Sequence, residues 1–219
     1  MNKIRGAIFD LDGTLIDSMT QWQKIETDYI NELGVTLTAE HINHLNTMSV
    51  SQMGEYVKKE FNLNISVSEM TNEINSRMIR FYGREVQLKD GILNVLETLK
   101  KSGVKMCVAT ASDRPIVEIV FERLNLDKYF DFIVTCRECG KGKDCPDIFD
   151  DALLKLKTQK DDTYIFEDSF VAISTAKKYD YNVIGIYDIT SKNNEKKIIP
   201  LCDFYTKSEN LCDVIDEIL

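Results

Sequence analysis

The sequence predicts an α/β fold: a mainly parallel sheet flanked by helices, with a helical insert behind the first strand. Three observations predict it. From about residue 88 onward, apolar strand-like runs alternate with amphipathic helix-length runs, the pattern of a parallel sheet covered on both faces. A first apolar run, RGAIFDLD, stands apart near the N-terminus. Between residues 19 and 83 the apolar residues recur at helical spacing and no strong strand is visible. The expected organisation is a core of 1–16 and 86–219, with a helical insert over 17–85.

Each element has its own signal. RGAIFDLD reads as a short buried strand that ends at acids. Met19, Trp22, Ile25, Tyr29 and Leu33 mark one helical face, and Gly34 stops it. Met53, Val57 and Phe61 mark a second face, and Met70, Ile74, Met78 and Tyr82 a third. GILNVLETLKKSG is a helix closed by Gly103, and VKMCVAT a strand. RPIVEIVFERLNL is a helix with Pro115 near its start, where the missing N–H costs little. FDFIVT, DTYIFED and NVIGIYD are strands. PDIFDDALLKLK and SFVAISTAKKYD are the helices between them. DFYTK and NLCDVIDEIL close the core.

Composition narrows the function classes. The 219 residues include 36 acids against 27 lysines and arginines, for a net charge of −9. That charge argues against broad contact with nucleic-acid backbones or anionic membranes. An acidic protein that handles an anion must neutralise it locally. No apolar stretch reaches the length of a membrane span. The N-terminus lacks the pattern of a signal peptide, so the expected setting is cytoplasmic, with the six cysteines reduced.

The strand ends carry the chemistry. In an open parallel sheet, ligands gather beyond the carboxyl ends of the strands. Asp10 and Asp12 end the first strand, Thr110 ends VKMCVAT, and Glu167 and Asp168 end DTYIFED. Lys143 follows FDFIVT across a loop. Taken singly, an acid at a strand end reads as a turn or helix cap, and Lys143 as a solvated lysine. Taken together, acids crowded at one edge require a compensating cation. A hard divalent ion with oxygen ligands supplies it, and magnesium fits best. Asp17 and Ser18 read as caps of the first insert helix, and Thr14 as a hydroxyl that steadies Asp12 or the turn.

DLDGTL at 10–15, VAT at 108–110, Lys143 in GKGKDCPDIF and EDS at 167–169 resemble, in order and spacing, the four motifs of the haloacid dehalogenase-like hydrolases. The likeness covers essentially the whole chain. A helical insert at this place resembles the subgroup that holds beta-phosphoglucomutase and phosphoglycolate phosphatase. The resemblance implies a Rossmann-like core with a helical cap domain over 17–85, and magnesium-dependent hydrolysis of a small phosphorylated metabolite. It implies Asp10 as nucleophile and Asp12 as general acid and base. Asp10, the Asp12 carbonyl, Asp168 and Glu167 would serve the metal. Thr110, Lys143 and the backbone N–H groups near Leu11 and Ala111 would grip the phosphoryl oxygens. Trp22, Leu45, Met48 and Ser49 are the candidates for substrate choice. A monomer is the expected state, since a cap can shield the site by itself.

Departures from the family pattern discriminate further. An aspartate at position 12 points to oxygen leaving groups, where halide-releasing members carry an aromatic residue and phosphonate-cleaving members a small one. Beta-phosphoglucomutases carry a histidine where this chain has Trp22, and an arginine in the segment that here spans 46–51, so a phosphatase is expected ahead of a phosphosugar mutase. A catalytically idle or regulatory protein on the same scaffold is the remaining alternative. The family's usual glycines after the last motif are replaced by Ala172 and Asp180. His41 and His44 read as surface or structural residues, and Arg77, Arg80 and Arg84 as partners of nearby acids. Cys136, Cys139 and Cys145 have C-x2-C spacing but lack the fourth ligand of a structural zinc site.

Overall fold

The computed structural model describes residues 3–45 and 50–219. Met48 and Ser49 therefore lie outside the described residues, and so does the side chain of His44. The chain divides into two compact units, Met1–Ser18 with Val86–Leu219, and Met19–Glu85. Asp17 and Ser18 thus belong to the first unit.

In the first unit, β1 (Gly6–Phe9) is followed by α5 (Ile92–Lys101), β2 (Lys105–Thr110), α6 (Arg114–Leu124) and β3 (Phe132–Thr135). Then come α7 (Cys136–Cys139), α8 (Asp147–Leu156), β4 (Thr163–Glu167), α9 (Phe170–Lys178) and β5 (Asn182–Ile186). The unit closes with α10 (Glu195–Ile198), β6 (Phe204–Thr206) and α11 (Leu211–Ile218). The six strands pair in parallel in the order β3-β2-β1-β4-β5-β6. This is the Rossmann-like order, with the reversal of winding beside β1.

Register positions the site. Phe9 lies level with Val108 on one side and Phe166 on the other. The next residue of each chain segment therefore brings Asp10 level with Glu167. The Asp10 N–H donates to the Phe166 carbonyl at 2.9 Å and extends the ladder one step past the strand. Both faces of the strands are apolar. Ile8, Cys107, Ala109, Ile165 and Val183 pack with Ile148, Phe149 and Ala152 of α8 and Ile173 of α9. Phe9 stacks on Phe166 with ring centroids 4.1 Å apart and meets Phe130 edge-on at 5.9 Å. A rigid apolar floor thus lies directly beneath the polar strand ends.

Asp180 shows how one sequence departure is accommodated. It follows α9 with φ +59°, a left-handed conformation that glycine adopts freely and aspartate tolerates better than most residues. Ala172 sits fully buried within α9.

The second unit holds α1 (Met19–Glu32), α2 (Ala39–Leu45), α3 (Val50–Glu60) and α4 (Val67–Arg84). Its core includes Ile25, Tyr29, Ile30, Met53, Val57, Met70, Ile74, Met78 and Tyr82. Phe61 lies one residue beyond α3 and meets His41 edge-on, with ring centroids 5.2 Å apart. Arg77 pins α4 to α1: it donates to both oxygens of Glu32 at 2.8 and 2.6 Å and to Glu73 at 2.8 Å, while lying over the Tyr29 ring. Ser66 and Glu69 form a capping box at the start of α4.

Glu26 on α1 is half-buried, and burial pushes its carboxyl up to about 7. A carboxyl whose folded value exceeds its unfolded one destabilises the fold increasingly as pH rises between the two, and fully above both. Glu26→Gln should therefore raise Tm near pH 8.5 and leave it unchanged near pH 4, by roughly 2–4 °C for each kcal/mol relieved. Equal melting of the two proteins near pH 8.5 would show that Glu26 carries no desolvation cost.

Candidate active site

Asp10, Glu167 and Asp168 meet at the carboxyl ends of β1 and β4. One carboxylate oxygen from each lies within 4.8 Å of the others, and all three side chains are buried. Lys143 reaches them from the loop between α7 and α8. Its ammonium donates to Asp10 Oδ1 and, at 3.3 Å, to Glu167 Oε1. Thr110 is fully buried at the end of β2, with its Oγ1 accepting from the Ser112 N–H at 3.0 Å. Leu11 is buried, and its N–H bonds the Asp10 carboxylate. Ala111 is exposed at the edge beyond β2.

The electrostatics follow from this crowding. Burial pushes the Asp10 carboxyl up, Lys143 pulls it back, and the nearby Asp12 charge adds to the rise. Burial and then Asp10 hold Glu167 well above the usual carboxylate range. Asp168 is pushed up to about 8, by burial first and then by Asp10 and Asp188. Burial works to lower Lys143, but Asp10 and Glu167 outweigh it and hold the ammonium above its ordinary value. Three buried carboxylates thus crowd together, and the Lys143 ammonium pairs with two of them. That shortage of positive charge, with an all-oxygen donor set, fits a hard divalent cation such as magnesium.

Asp12 occupies a different environment. Its Oδ1 accepts from the Ser18 hydroxyl and its Oδ2 from the Ser112 hydroxyl, each at 2.6 Å. Ser18, expected as a helix cap, gives its proton to Asp12. Thr14, expected to steady Asp12 or the turn, donates its hydroxyl to Asp168 Oδ1 at 3.4 Å and so ties the turn to the end of β4. Gly13 between them has φ +84°, and a Cβ there would lie 2.7–2.9 Å from the Asp168 carboxylate. Only glycine fits both the turn and that approach.

Several residues were missed in the sequence. Ser112 differs little from any polar residue before a helix, and its role emerges only once β2 lies beside β1. Lys89 is another: its ammonium donates to the Gly13 carbonyl at 2.7 Å, although 76 residues separate them. In the second unit, Trp22 Nε1 donates to the Tyr82 hydroxyl at 2.7 Å, and Leu45 is buried. His41 Nδ1 accepts from the Thr38 N–H at 3.2 Å, in a local turn. Among the described residues the acids at β1 and β4 form the one group arranged to hold a metal, so Cys136, Cys139 and Cys145 do not assemble a zinc site. Among them also, no helix is long and apolar enough to cross a membrane.

Comparison with known proteins agrees with this geometry. The sequence profile of the haloacid dehalogenase-like hydrolases matches residues 7–186. The phosphorylated carbohydrates phosphatase of Thermotoga maritima is 22% identical over 218 residues, covering 99% of this chain and 100% of that protein. The structure of a hydrolase of the same family from Deinococcus radiodurans, with bound phosphate and sodium, superposes with a TM-score of 0.81 at 17% identity, covering 100% of this chain and 97% of the other. Beta-phosphoglucomutase from Clostridium difficile superposes with a TM-score of 0.74 at 19% identity, covering 98% and 96%. At these identities the structural likenesses speak to fold alone. The family match covers most of the chain, and a helical unit is inserted behind β1: the chain belongs to the haloacid dehalogenase-like hydrolases, in their helical-cap subgroup.

Proposed function

We propose that this chain hydrolyses a small phosphomonoester through an aspartyl phosphate on Asp10. The observation that carries the reading is the presence of two carboxylates with separate environments at one strand end. Asp10 lies in the buried cluster with Lys143. Asp12 stands outside that cluster, held by two serine hydroxyls. A nucleophile and a proton carrier need such a division of labour.

Asp10 attacks phosphorus as the ester P–O bond breaks, and Asp12 gives its proton to the departing oxygen. Asp12 then takes a proton from water as that water attacks phosphorus, and the bond to Asp10 breaks to release inorganic phosphate. Lys143, the Thr110 hydroxyl and the N–H groups of Leu11 and Ala111 hold the phosphoryl oxygens. Positioning and charge stabilisation supply most of the catalysis of such transfers. Asp10, the Asp12 carbonyl and Asp168, with Glu167 in support, would hold magnesium, which would supply positive charge against phosphate–carboxylate repulsion. Substrate choice is assigned to Trp22, Leu45, Met48 and Ser49 of the cap.

The hydrolytic reading is preferred to the mutase reading on one observation. Trp22 stands where the mutase histidine is expected, and its single N–H is engaged by Tyr82. An indole offers no acceptor and no acid–base group. The test is a magnesium-dependent screen of small phosphate esters, read as released phosphate. It includes beta-glucose 1-phosphate with catalytic glucose 1,6-bisphosphate. Hydrolysis should stop on chelation, return partly with manganese, and be inhibited by calcium, whose longer bonds misplace the reacting groups. Glucose 6-phosphate formed much faster than free phosphate would establish the mutase. Absence of turnover on every ester would favour the idle scaffold, and full activity after exhaustive chelation would remove the metal from the mechanism.

A further inference from the structure

We infer that Lys89 is a positioning residue of the site, whose ammonium ties the turn at Gly13 to the loop that follows β5. The inference rests on the proposed phosphoryl-transfer reaction. An ammonium has three protons to donate, and Lys89 spends them on three acceptors: the Gly13 carbonyl at 2.7 Å, the Tyr187 carbonyl at 2.9 Å and Asp188 Oδ2 at 2.9 Å. The ion pair is sheltered, with 11% of the Lys89 side chain and 2% of the Asp188 side chain exposed. Asp188 is itself held, because its Oδ1 accepts from the Thr190 N–H and hydroxyl at 3.0 and 2.6 Å.

The place of this contact matters more than its strength. Gly13 separates Asp12 from Thr14, and Thr14 donates to Asp168. The backbone of 87–89 already holds the far side of the turn, since the Lys89 N–H donates to the Leu15 carbonyl and the Asp17 N–H to the Gln87 carbonyl. Those two bonds act two or more residues beyond Gly13. The Lys89 side chain reaches Gly13 itself. Without it, the turn would keep its Gly13–Ile16 and Leu11–Leu15 backbone bonds but lose its anchor to β5. Asp12 would then sample positions away from the leaving oxygen, and a displacement of about 1 Å can cost on the order of a hundredfold in rate.

A buried ion pair poses a second explanation, that Lys89 serves only to neutralise Asp188. Two variants separate the explanations. Lys89→Met strands the Asp188 charge and should lower both Tm and kcat. Lys89→Met combined with Asp188→Asn removes the stranded charge while leaving Gly13 unanchored. The double variant should regain most of the lost Tm, yet keep kcat down by roughly tenfold to a hundredfold with KM nearly unchanged. Amide hydrogen exchange at Gly13, Leu15 and Ile16 should be faster than in the wild type. Wild-type turnover in the double variant would overturn the inference, whether or not exchange had changed, and so would wild-type exchange in the turn. If the wild-type protein hydrolyses no phosphate ester, the proposed reaction fails, and exchange at these three amides alone decides whether Lys89 holds the turn.

Discussion

Asp10→Asn should abolish phosphate release, by at least about 10⁴-fold in kcat, while leaving the protein folded and at least as stable as the wild type. The two halves of this expectation have one cause. In the wild type, the carboxylates of Asp10, Glu167 and Asp168 crowd together, and the Lys143 ammonium pairs with the first two. The amide is close in shape to the acid but carries no charge, so it removes one of three repelling groups. Lys143 still pairs with Glu167, and the N–H of residue 10 still bonds the Phe166 carbonyl. Folding loses the charge of the Lys143–Asp10 pair but is relieved of one of three crowded carboxylates. The chemistry loses its nucleophile, since an amide oxygen cannot form the aspartyl phosphate. A substitution that preserves or raises Tm while erasing turnover marks a group retained for reaction at the expense of stability. Near-wild-type phosphate release from a verified Asp10→Asn preparation would rule the nucleophile out. Loss of activity together with a large fall in Tm would instead identify Asp10 as a structural acid.

Why some of this could be read from the sequence and some could not has a physical basis. Apolar strands and long amphipathic helices carry their periodicity in the chain. Five of the six parallel strands, β1 to β5, and the helices α5, α6, α8 and α9 were therefore legible, whereas β6 has three residues and carries no period of its own. α7 and α10 span four residues each, about one turn, too short for a period to register. α2 has seven residues and also escaped. At the strand ends, acids were visible because carboxylates crowded after apolar runs are costly without a reason. Hydroxyl directions were not visible. Ser18 and Ser112 donate to Asp12 and Thr14 to Asp168, but a hydroxyl rotates to whichever acceptor the fold brings near, and the acceptors come from separate strands. Lys89 is the extreme case. Its neighbours in the chain suggest a surface lysine, and its partners lie 76 to 99 residues away.

Lys143→Met should have the second-largest effect, and its signature should be a dependence of stability on pH and on magnesium. The Lys143 side chain is 10% exposed, and it donates to Asp10 and Glu167. Removing one partner of a buried pair leaves charge uncompensated, at a cost of about 3–5 kcal/mol. In a protein of this size that corresponds to a fall in Tm of roughly 6–20 °C near neutral pH. The sign of the pH effect follows from the raised carboxyls. In the wild type Asp168 already sits at about 8, and burial holds Asp10 and Glu167 above their ordinary values. Loss of Lys143 removes an influence that lowers all three. The native state then binds protons more tightly than the unfolded chain, so stability rises as pH falls from about 8 toward 5, until the unfolded carboxyls titrate as well. The Tm deficit of Lys143→Met relative to wild type should therefore shrink as the medium is acidified. Magnesium should narrow it too, by raising the Tm of the variant more than that of the wild type, since a divalent cation offers the same three carboxylates the charge they have lost. Turnover should stay down by about 10³-fold even at saturating magnesium, because the cation cannot replace an ammonium on the phosphoryl oxygens. A Tm deficit that ignores both pH and magnesium would mean that the carboxylates at β1 and β4 do not depend on Lys143 for their charge. Recovery of wild-type kcat with magnesium alone would take Lys143 out of the reaction.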